Sequence, residues 1–305
     1  MNVVFMGTPD FSVPSLEALA ADGRFTISAV YTQPDKPVGR KRIMTPPDVK
    51  VCAEKLGLQV RQPETLRSAD IAAEIAGFCP DIIVVIAYGK ILPKEVLDIP
   101  KYGCINIHGS LLPKLRGAAP IQRAVIEGEK ITGVTAMKMD AGLDTGDMIA
   151  TLETKILPDE TAGELFDRLA CAAPDLLIDT LVSLENGTAE FTKQDDEKST
   201  YAKPLSKEEA VIDWSLSAQQ IHNKVRGMNP WPVAFTQYGG KKLKIYAAKL
   251  SQRSGKPGEI VSLDPPVIAC GEGSLELLSV QLEGKKQMPA ADFFRGQRAS
   301  VGEMI

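Results

Sequence analysis

The stretch Ile82-Ile83-Val84-Val85-Ile86 consists entirely of branched apolar residues and lies between Pro80-Asp81 and Gly89. A strand with one face in water alternates apolar and polar residues, whereas a strand buried on both faces is apolar throughout. This stretch therefore predicts a central strand of a parallel sheet with helices covering both of its faces.

The sequence on either side of this stretch alternates between strand and helix patterns. Strands are predicted at 2–6, 26–32, 82–86, 104–107 and 133–139. Helices are predicted at 12–21, 47–56, 68–77, 118–127 and 161–184, with a break in the last one at Pro174. This alternation favours a Rossmann-like, doubly wound, mostly parallel α/β sheet.

The pattern changes near residue 187, where a polar and poorly periodic segment begins. We expect a first domain over 1–187, a linker over 188–206 and a second domain over 207–305. The second domain has one predicted helix, 216–227, and short strands separated by glycine turns at 233–238, 241–249, 257–262, 267–270 and 274–280. This spacing predicts an OB-like β-barrel, with Trp214 and Trp231 packed against it.

Composition excludes several classes of protein. The 305 residues are 44% hydrophobic and 24% charged, as expected of a soluble globular chain. The N-terminus has neither the basic segment nor the cleavage site of a signal peptide. The five cysteines form no C-x-x-C pair, which predicts no metal site and a reduced, cytoplasmic protein.

The loop after the first strand, Gly7-Thr8-Pro9-Asp10, lies where doubly wound folds bind nucleotides. It lacks the G-x-G-x-x-G spacing of a dinucleotide site and the G-x-x-x-x-G-K-[ST] spacing of a phosphate loop. A nicotinamide dehydrogenase is therefore disfavoured, and a tight turn before a helix is the simpler interpretation.

Polar residues capable of acid–base chemistry follow the strand 104–107. The period of two places Asn106 and His108 on one side of this strand, at its carboxyl end. The next predicted strand leads into a loop, residues 140–147, which contains Asp140 and Asp144. An imidazole, an amide and a carboxylate at one sheet edge suit acyl transfer through an oxyanion, although a buried structural histidine would give the same pattern. The only other histidine, His222, is expected to be structural.

Two motifs resemble those of the folate-dependent formyltransferases. They are Asn106-Ile107-His108-Gly109-Ser110-Leu111-Leu112-Pro113, with Arg116-Gly117-Ala118-Ala119-Pro120 behind it, and Gly142-Leu143-Asp144-Thr145-Gly146-Asp147. The resemblance implies that Asn106, His108 and Asp144 are catalytic and that 10-formyltetrahydrofolate is the co-substrate, with no metal. The folate contacts that it implies are Ser110, Leu111, Leu112, Pro113, Tyr88, Gly89, Ile91, Leu92 and Asp140.

The acceptor of the formyl group must be inferred from other segments. A loop rich in proline, glycine and cations contains Arg40, Lys41 and Arg42, and the C-terminal region, which has a net positive charge, contributes Lys207 and Lys244. This loop and the segments 205–214 and 226–232 resemble members of the family that formylate initiator methionyl-tRNA, so we expect a monomer that binds this RNA.

Three other readings remain open at the level of sequence. A UDP-linked amino sugar is the alternative acceptor. A purine-pathway formyltransferase acting on a glycinamide nucleotide is less favoured, because it would not need residues 207–305. A non-catalytic RNA-binding protein is disfavoured by the intact Asn106, His108 and Asp144.

Overall fold

The computed structural model describes residues 1–39 and 41–305. The strands are β1 Asn2–Gly7, β2 Thr26–Tyr31, β3 Lys36–Val38, β4 Ile43–Thr45, β5 Val60–Arg61, β6 Ile82–Ile86, β7 Cys104–His108, β8 Arg116–Gly117, β9 Ile131–Lys138, β10 Met148–Lys155, β11 Tyr201–Ala202, β12 Phe235–Tyr238, β13 Lys241–Ser251, β14 Ile260–Leu263, β15 Pro266–Ala269, β16 Ser274–Leu282 and β17 Met288–Pro289. The helices are α1 Val13–Ala21, α2 Asp48–Lys55, α3 Ala69–Gly77, α4 Lys94–Leu97, α5 Pro120–Ile126, α6 Ala162–Asn186, α7 Ala218–Gly227 and α8 Ala290–Gln297.

The N-terminal sheet has the strand order β10-β9-β7-β6-β1-β2-β5. The pairs β1/β2, β1/β6, β2/β5 and β6/β7 are parallel, and β7/β9 is antiparallel. The predicted Rossmann-like, mostly parallel sheet is confirmed, and all five residues of β6 are buried as expected. The chain order reverses between β1 and β6, which is the place where open α/β sheets form a ligand crevice.

Strand β10 and helix α6 differ from the expectation. Strand β10 was not predicted, because it lies at the sheet edge and most of its residues are at least partly exposed, so its sequence has no apolar signature. Helix α6 continues through Pro174, so the predicted break is wrong. A proline inside a helix costs about 3 kcal/mol, and the buried Leu169, Leu177 and Leu181 of α6 offset that cost by packing.

The chain divides into two compact units that are not continuous in sequence. One comprises 1–117, 133–154 and 166–201, and the other comprises 118–132, 155–165 and 202–305. The second unit thus contains α5 as well as the C-terminal residues. The boundaries given above, at 187 and 207, remain predictions.

The C-terminal strands form one antiparallel sheet with the order β12-β13-β16-β15-β14, and β17 pairs with β16. Register shifts within β13, between Ile245 and Ala248, bend the strand, and the sheet curls into a half-barrel. This confirms the OB-like prediction in its main feature, a curled antiparallel sheet. Phe293 and Phe294 of α8 pack into its core at a ring distance of 5.1 Å.

The two tryptophans occupy different environments. Trp214 is buried in the core of this sheet, as predicted, and its Nε1 donates a hydrogen bond to Thr236 Oγ1 at 3.1 Å. Trp231 is 54% exposed, so the prediction that it packs against the barrel is wrong. The neighbouring Pro230 is exposed as well, although its ring lies against Gly163, where an added Cβ would approach the Pro230 Cδ to 2.9 Å.

Over the described ranges, 1–39 and 41–305, no helix has both the length and the apolar character needed to cross a membrane.

Candidate active site at the carboxyl end of strand β7

Strand β7 brings Asn106 and His108 to one side of the sheet edge, and the loop after β9 brings Asp144 to them. Asn106 Nδ2 lies 3.4 Å from Asp144 Oδ1, and His108 Nδ1 lies 3.7 Å from Asp144 Oδ2. The side chains of His108 and Asp144 are only 6% and 13% exposed. The structure therefore brings together all three residues that the motifs single out, in a site that excludes most water.

The backbone of Leu115 determines which nitrogen of His108 faces Asp144. His108 Nε2 lies 2.9 Å from the Leu115 carbonyl oxygen, and a carbonyl can only accept a hydrogen bond. Nε2 must therefore carry a hydrogen, which leaves Nδ1 as the nitrogen that can take up or release a proton beside Asp144. Leu115 itself has a left-handed backbone with a φ of +59°.

Asp144 is held by backbone groups as well as by its neighbours in the site. Its Oδ2 accepts a hydrogen bond of 2.8 Å from the Gly117 N–H. Its own backbone is left-handed with a φ of +53°, a conformation that a residue with a Cβ adopts only at a cost. Gln194 Nε2 donates to the Asp144 carbonyl oxygen at 2.8 Å, which fixes this conformation from the outside.

Gly146 allows the loop to lie against β9. A Cβ at this position would be 1.8 Å from the carbonyl oxygen of Lys138, closer than any real contact. Glycine is therefore required where the chain passes closest to the strand, and this close approach helps to place Asp144 two residues earlier.

The segment Ser110–Pro113 closes one side of the site. Ser110 is 1% exposed, and its hydroxyl donates to the Lys114 carbonyl oxygen at 2.7 Å. Thr135 Oγ1 donates to the Ser110 carbonyl oxygen and accepts from the Leu112 N–H. Leu111 and Pro113 are half-buried. The segment is thus fixed by hydrogen bonds, with Leu111 and Pro113 partly accessible.

The chain after β6, residues 87–92, leaves the sheet beside β7, the strand that carries Asn106 and His108. Tyr88 and Leu92 are buried in the core beneath the sheet, whereas Gly89 and Ile91 are exposed. The Tyr88 carbonyl oxygen already accepts hydrogen bonds from Thr8 Oγ1 and Gln33 Nε2. Burial raises the pKa of the Tyr88 phenol to about 12. Tyr88 and Leu92 are therefore buried behind this segment, whereas Gly89 and the side chain of Ile91 are exposed to solvent.

Asp140 lies apart from the three central residues and organises its own loop. Its side chain is exposed, and Oδ1 accepts hydrogen bonds from the Gly142 N–H at 2.9 Å and from Thr145 Oγ1 at 2.6 Å. This arrangement is an Asx turn that shapes the segment leading to Asp144.

Comparison with known proteins identifies the family. The formyl transferase model matches residues 1–181, and the model of the formyl transferase C-terminal domain matches residues 204–298. The chain belongs to the formyl transferase family.

This formyl transferase is 48% identical to the methionyl-tRNA formyltransferase of Macrococcus caseolyticus over 98% of this chain and 97% of the relative. Among solved structures, it resembles the N-formyltransferase of Helicobacter canadensis, crystallised with folinic acid and dTDP-3-aminofucose, with a TM-score of 0.65, 18% identity and coverage of 94% and 99%. It also resembles HypX of Aquifex aeolicus, crystallised with tetrahydrofolic acid, with a TM-score of 0.64 and 18% identity, covering 98% of this chain and about half (48%) of HypX.

The basic residues singled out in the sequence lie outside the central cluster. Lys41 and Arg42 are exposed in the connection between β3 and β4, and Arg40 lies outside the described residues. Lys207 is exposed and Lys244, on β13, is half-buried, both in the C-terminal unit of this formyl transferase. All six strand residues of the β3/β4 hairpin are exposed.

His222 has the structural environment expected of it. It is 2% exposed in α7, and its Nε2 lies 3.4 Å from Asp159 Oδ1. Burial is the main cause that lowers the pKa of His222, and the nearby Arg226 lowers it further.

Sequence reasoning missed three groups that hold the site together: the Leu115 carbonyl, the Gly117 N–H and the Gln194 amide. The first two are backbone groups, which residue type does not reveal. Gln194 lies in the segment interpreted as a linker, where its polar neighbours hide it. In the part of the chain that is described, no group of three or more histidines, cysteines or carboxylates is arranged to hold a metal ion.

Proposed function

We propose that this formyl transferase moves the formyl group of 10-formyltetrahydrofolate to the amino group of methionine on initiator methionyl-tRNA. The observation that carries the chemistry is the convergence of Asn106, His108 and Asp144 at a shielded sheet edge. The acceptor is supported by the 48% identity to a methionyl-tRNA formyltransferase, compared with 18% to a sugar N-formyltransferase.

His108 and Asp144 are proposed to move the proton that the acceptor amine loses. The folate co-substrate supplies an amide-like formyl carbon that an uncharged amine attacks. With Nε2 held as a donor to Leu115, His108 Nδ1 is free to accept the proton and to return it to the leaving nitrogen. Asp144, 3.7 Å away, stabilises the protonated imidazole and holds it in place.

Asn106 is proposed to stabilise the negative charge that develops on the formyl oxygen. Its Nδ2 already points at the site, 3.4 Å from Asp144 Oδ1, and is a neutral hydrogen-bond donor. Protonated His108 adds a second, charged donor. Preorganised donors in a site with little water stabilise an oxyanion more than the same groups do in water.

The folate contacts are proposed for the residues that follow β6 and β7. Leu111, Pro113 and Ile91 are accessible apolar groups, and the exposed Gly89 allows close approach to the backbone. Ser110, Leu112, Tyr88 and Leu92 are proposed to support the folate through their backbone or by packing behind it, since their side chains are buried. Asp140 is proposed to shape the loop that covers the ring.

The RNA contacts are proposed for Arg40, Lys41, Arg42, Lys207 and Lys244. Of these, Lys41 and Arg42 are exposed between β3 and β4 and can approach phosphates. We also propose that the protein works as a monomer in the cytoplasm, with a catalytic domain at 1–187, a linker at 188–206 and an RNA-binding domain at 207–305.

The experiment that tests the proposed acceptor compares three substrates under the same conditions. Radiolabelled formyl transfer from 10-formyltetrahydrofolate is measured to charged initiator tRNA, to charged elongator methionine tRNA and to a UDP-linked amino sugar. We expect transfer to the initiator tRNA alone. Transfer to the amino sugar alone would keep the catalytic residues and overturn the RNA acceptor.

A further inference from the structure

The segment that joins α6 to β11 contains one buried side chain in an exposed environment. Gln194 is 5% exposed, whereas Lys193, Asp195 and Asp196 beside it are exposed. A glutamine loses solvation when it is buried, so its amide needs partners that only its surroundings supply.

All polar groups of the Gln194 side chain are used by residues near the active site. Nε2 donates to the carbonyl oxygens of Asp144 at 2.8 Å and of Gly146 at 2.7 Å. Oε1 accepts from Arg116 Nε at 2.9 Å. Only this orientation of the amide satisfies all three partners, because the two carbonyls require a donor and the guanidinium requires an acceptor.

A second residue of the same segment holds the other side of the site. Thr200 Oγ1 accepts from the Leu115 N–H at 2.9 Å, and the Thr200 carbonyl oxygen accepts from the Arg116 N–H at 2.9 Å. Leu115 is the residue whose carbonyl faces His108 Nε2. Leu115 and Asp144, which both have left-handed backbones, are thus both bonded to the segment 194–200.

We propose that Gln194 is a positioning residue for formyl transfer, which holds Asp144 at the distance from His108 that proton transfer requires. The proposal rests on the proposed function, because it assigns Gln194 a part in that reaction. The Gln194 amide bonds only to groups of the protein, which is why it is assigned a positioning role and not a catalytic one. The Nε2 group of Gln194 fixes the left-handed backbone of Asp144. Its Oε1 bonds to Arg116, the neighbour of Leu115, and so links the loop of Asp144 to the residue whose carbonyl orients His108.

The test uses two substitutions that remove the donor groups in different ways. Gln194→Met has a similar length and makes none of the three hydrogen bonds. Gln194→Glu retains an acceptor for Arg116 but places an oxygen against the two carbonyls. We expect kcat to fall about 10–100-fold in both variants, because a small displacement of a catalytic group has an effect of that size, with KM for both substrates unchanged.

Amide hydrogen exchange of residues 140–147 is measured alongside the kinetics. We expect faster exchange there in both variants, with no change in β6 and β7. Glu197→Gln, a substitution at an exposed position of the same segment, is the matched control and is expected to match the wild type in both measurements.

Two results would overturn the proposal: a kcat equal to that of the wild type in both variants, or a raised KM at an unchanged kcat. Gln194→Asn, which keeps the amide but is one methylene too short to reach all three partners, gives a second reading of the same fall in kcat if the other two variants fail to fold. If the wild type formylates no acceptor, the proposed function fails, and the exchange of residues 140–147 still decides whether Gln194 holds the loop.

Discussion

At the scale of single residues, the two ring nitrogens of His108 have different neighbours and therefore different roles. Leu115 occupies Nε2 through a carbonyl, and Asp144 faces Nδ1 with a carboxylate. This arrangement resembles a catalytic pair in which one partner orients the ring and the other responds to its charge. The charge of Asp144 should therefore matter more than its shape.

Asp144→Asn tests that expectation. The amide keeps the size of the side chain and one oxygen for the Gly117 N–H, but it has no charge to stabilise protonated His108. We expect kcat to fall about 10²–10⁴-fold, the usual contribution of acid–base catalysis, while the tRNA dissociation constant stays unchanged. Steady-state kinetics and filter binding measure the two quantities, and an unchanged kcat would contradict the role of the carboxylate.

The residue scale is also where the sequence was most and least informative. Asn106, His108 and Asp144 stand out because side-chain chemistry and motif spacing are visible in the sequence. Gly117, Leu115 and Gln194 do not, because two of them act through the backbone and the third lies in a polar segment. Backbone groups depend on three-dimensional placement, which residue type alone does not encode.

At the scale of elements, the β3/β4 hairpin presents Lys41 and Arg42 to solvent. The double substitution Lys41→Ala with Arg42→Ala is expected to weaken tRNA binding and to reduce the slope of log affinity against log salt by about 0.7–0.9 for each phosphate that is no longer neutralised. Folate binding should not change, because these residues lie outside the central cluster. Tryptophan or tRNA fluorescence titrations at several salt concentrations provide the measurement.

Lys55→Ala is the matched control for the hairpin. Lys55 is an exposed cation at the end of α2 in the same unit, so its removal changes the net charge without changing the hairpin. An equal fall in tRNA affinity in the control would contradict a specific role of the hairpin and would indicate a general effect of charge.

Helix α7 contains a histidine whose burial makes stability depend on pH. Burial lowers the pKa of His222, so the folded protein resists its protonation while the unfolded chain accepts a proton near pH 6.5. The contribution of neutral His222 to the free energy of unfolding is therefore complete above about pH 6.5. It is lost as the pH falls towards the lower pKa of the folded state, by at most about 1.4 kcal/mol per pH unit.

Urea unfolding of the wild type and of His222→Gln between about pH 7.5 and about pH 5.5, one unit on either side of the usual histidine pKa, measures this effect. We expect the free energy of unfolding of the wild type to fall relative to that of the variant as the pH is lowered. A difference that is constant over this range, or that grows in favour of the wild type, would show that burial does not control this group.

The element scale also shows why one local prediction was wrong and why one strand was missed. Pro174 is a strong breaker in isolation, but the buried leucines of α6 keep the helix continuous. Strand β10 lacks an apolar signature because it lies at the edge of the sheet. Central elements such as β6 were predictable because burial on both faces leaves a clear pattern in the sequence, whereas tertiary packing determines the form of the edges.

At the scale of the whole molecule, the five cysteines are free and differ in accessibility. Cys79 and Cys171 are exposed, whereas Cys52, Cys104 and Cys270 are buried. Burial raises the pKa of Cys104 to about 12 and that of Cys270 to about 11, and only the thiolate reacts rapidly.

Alkylation by iodoacetamide at neutral pH should therefore modify Cys79 and Cys171 first, and the three buried thiols only after unfolding. Peptide mass spectrometry of native and urea-treated protein measures the order. Modification of Cys104 in the native protein at the rate of Cys79 would contradict the packing described for β7.

The two compact units of the molecule are discontinuous in sequence, which the change of pattern along the chain does not reveal. Residues up to 201 belong to the first unit, and within them Gln194 bonds to the loop that contains Asp144, while the linker at 188–206 stays a prediction. A polar segment can be ordered when its few buried groups find partners, and local composition carries little information about such partners.

The central claim is that His108 performs the proton transfer in formyl transfer to initiator methionyl-tRNA. The measurement that tests it most directly is the single-turnover rate with saturating 10-formyltetrahydrofolate and charged initiator tRNA, for the wild type and for His108→Ala. We predict a rate about 10²–10⁴-fold lower in the variant at an unchanged tRNA affinity. A variant that transfers the formyl group at the rate of the wild type would contradict the account.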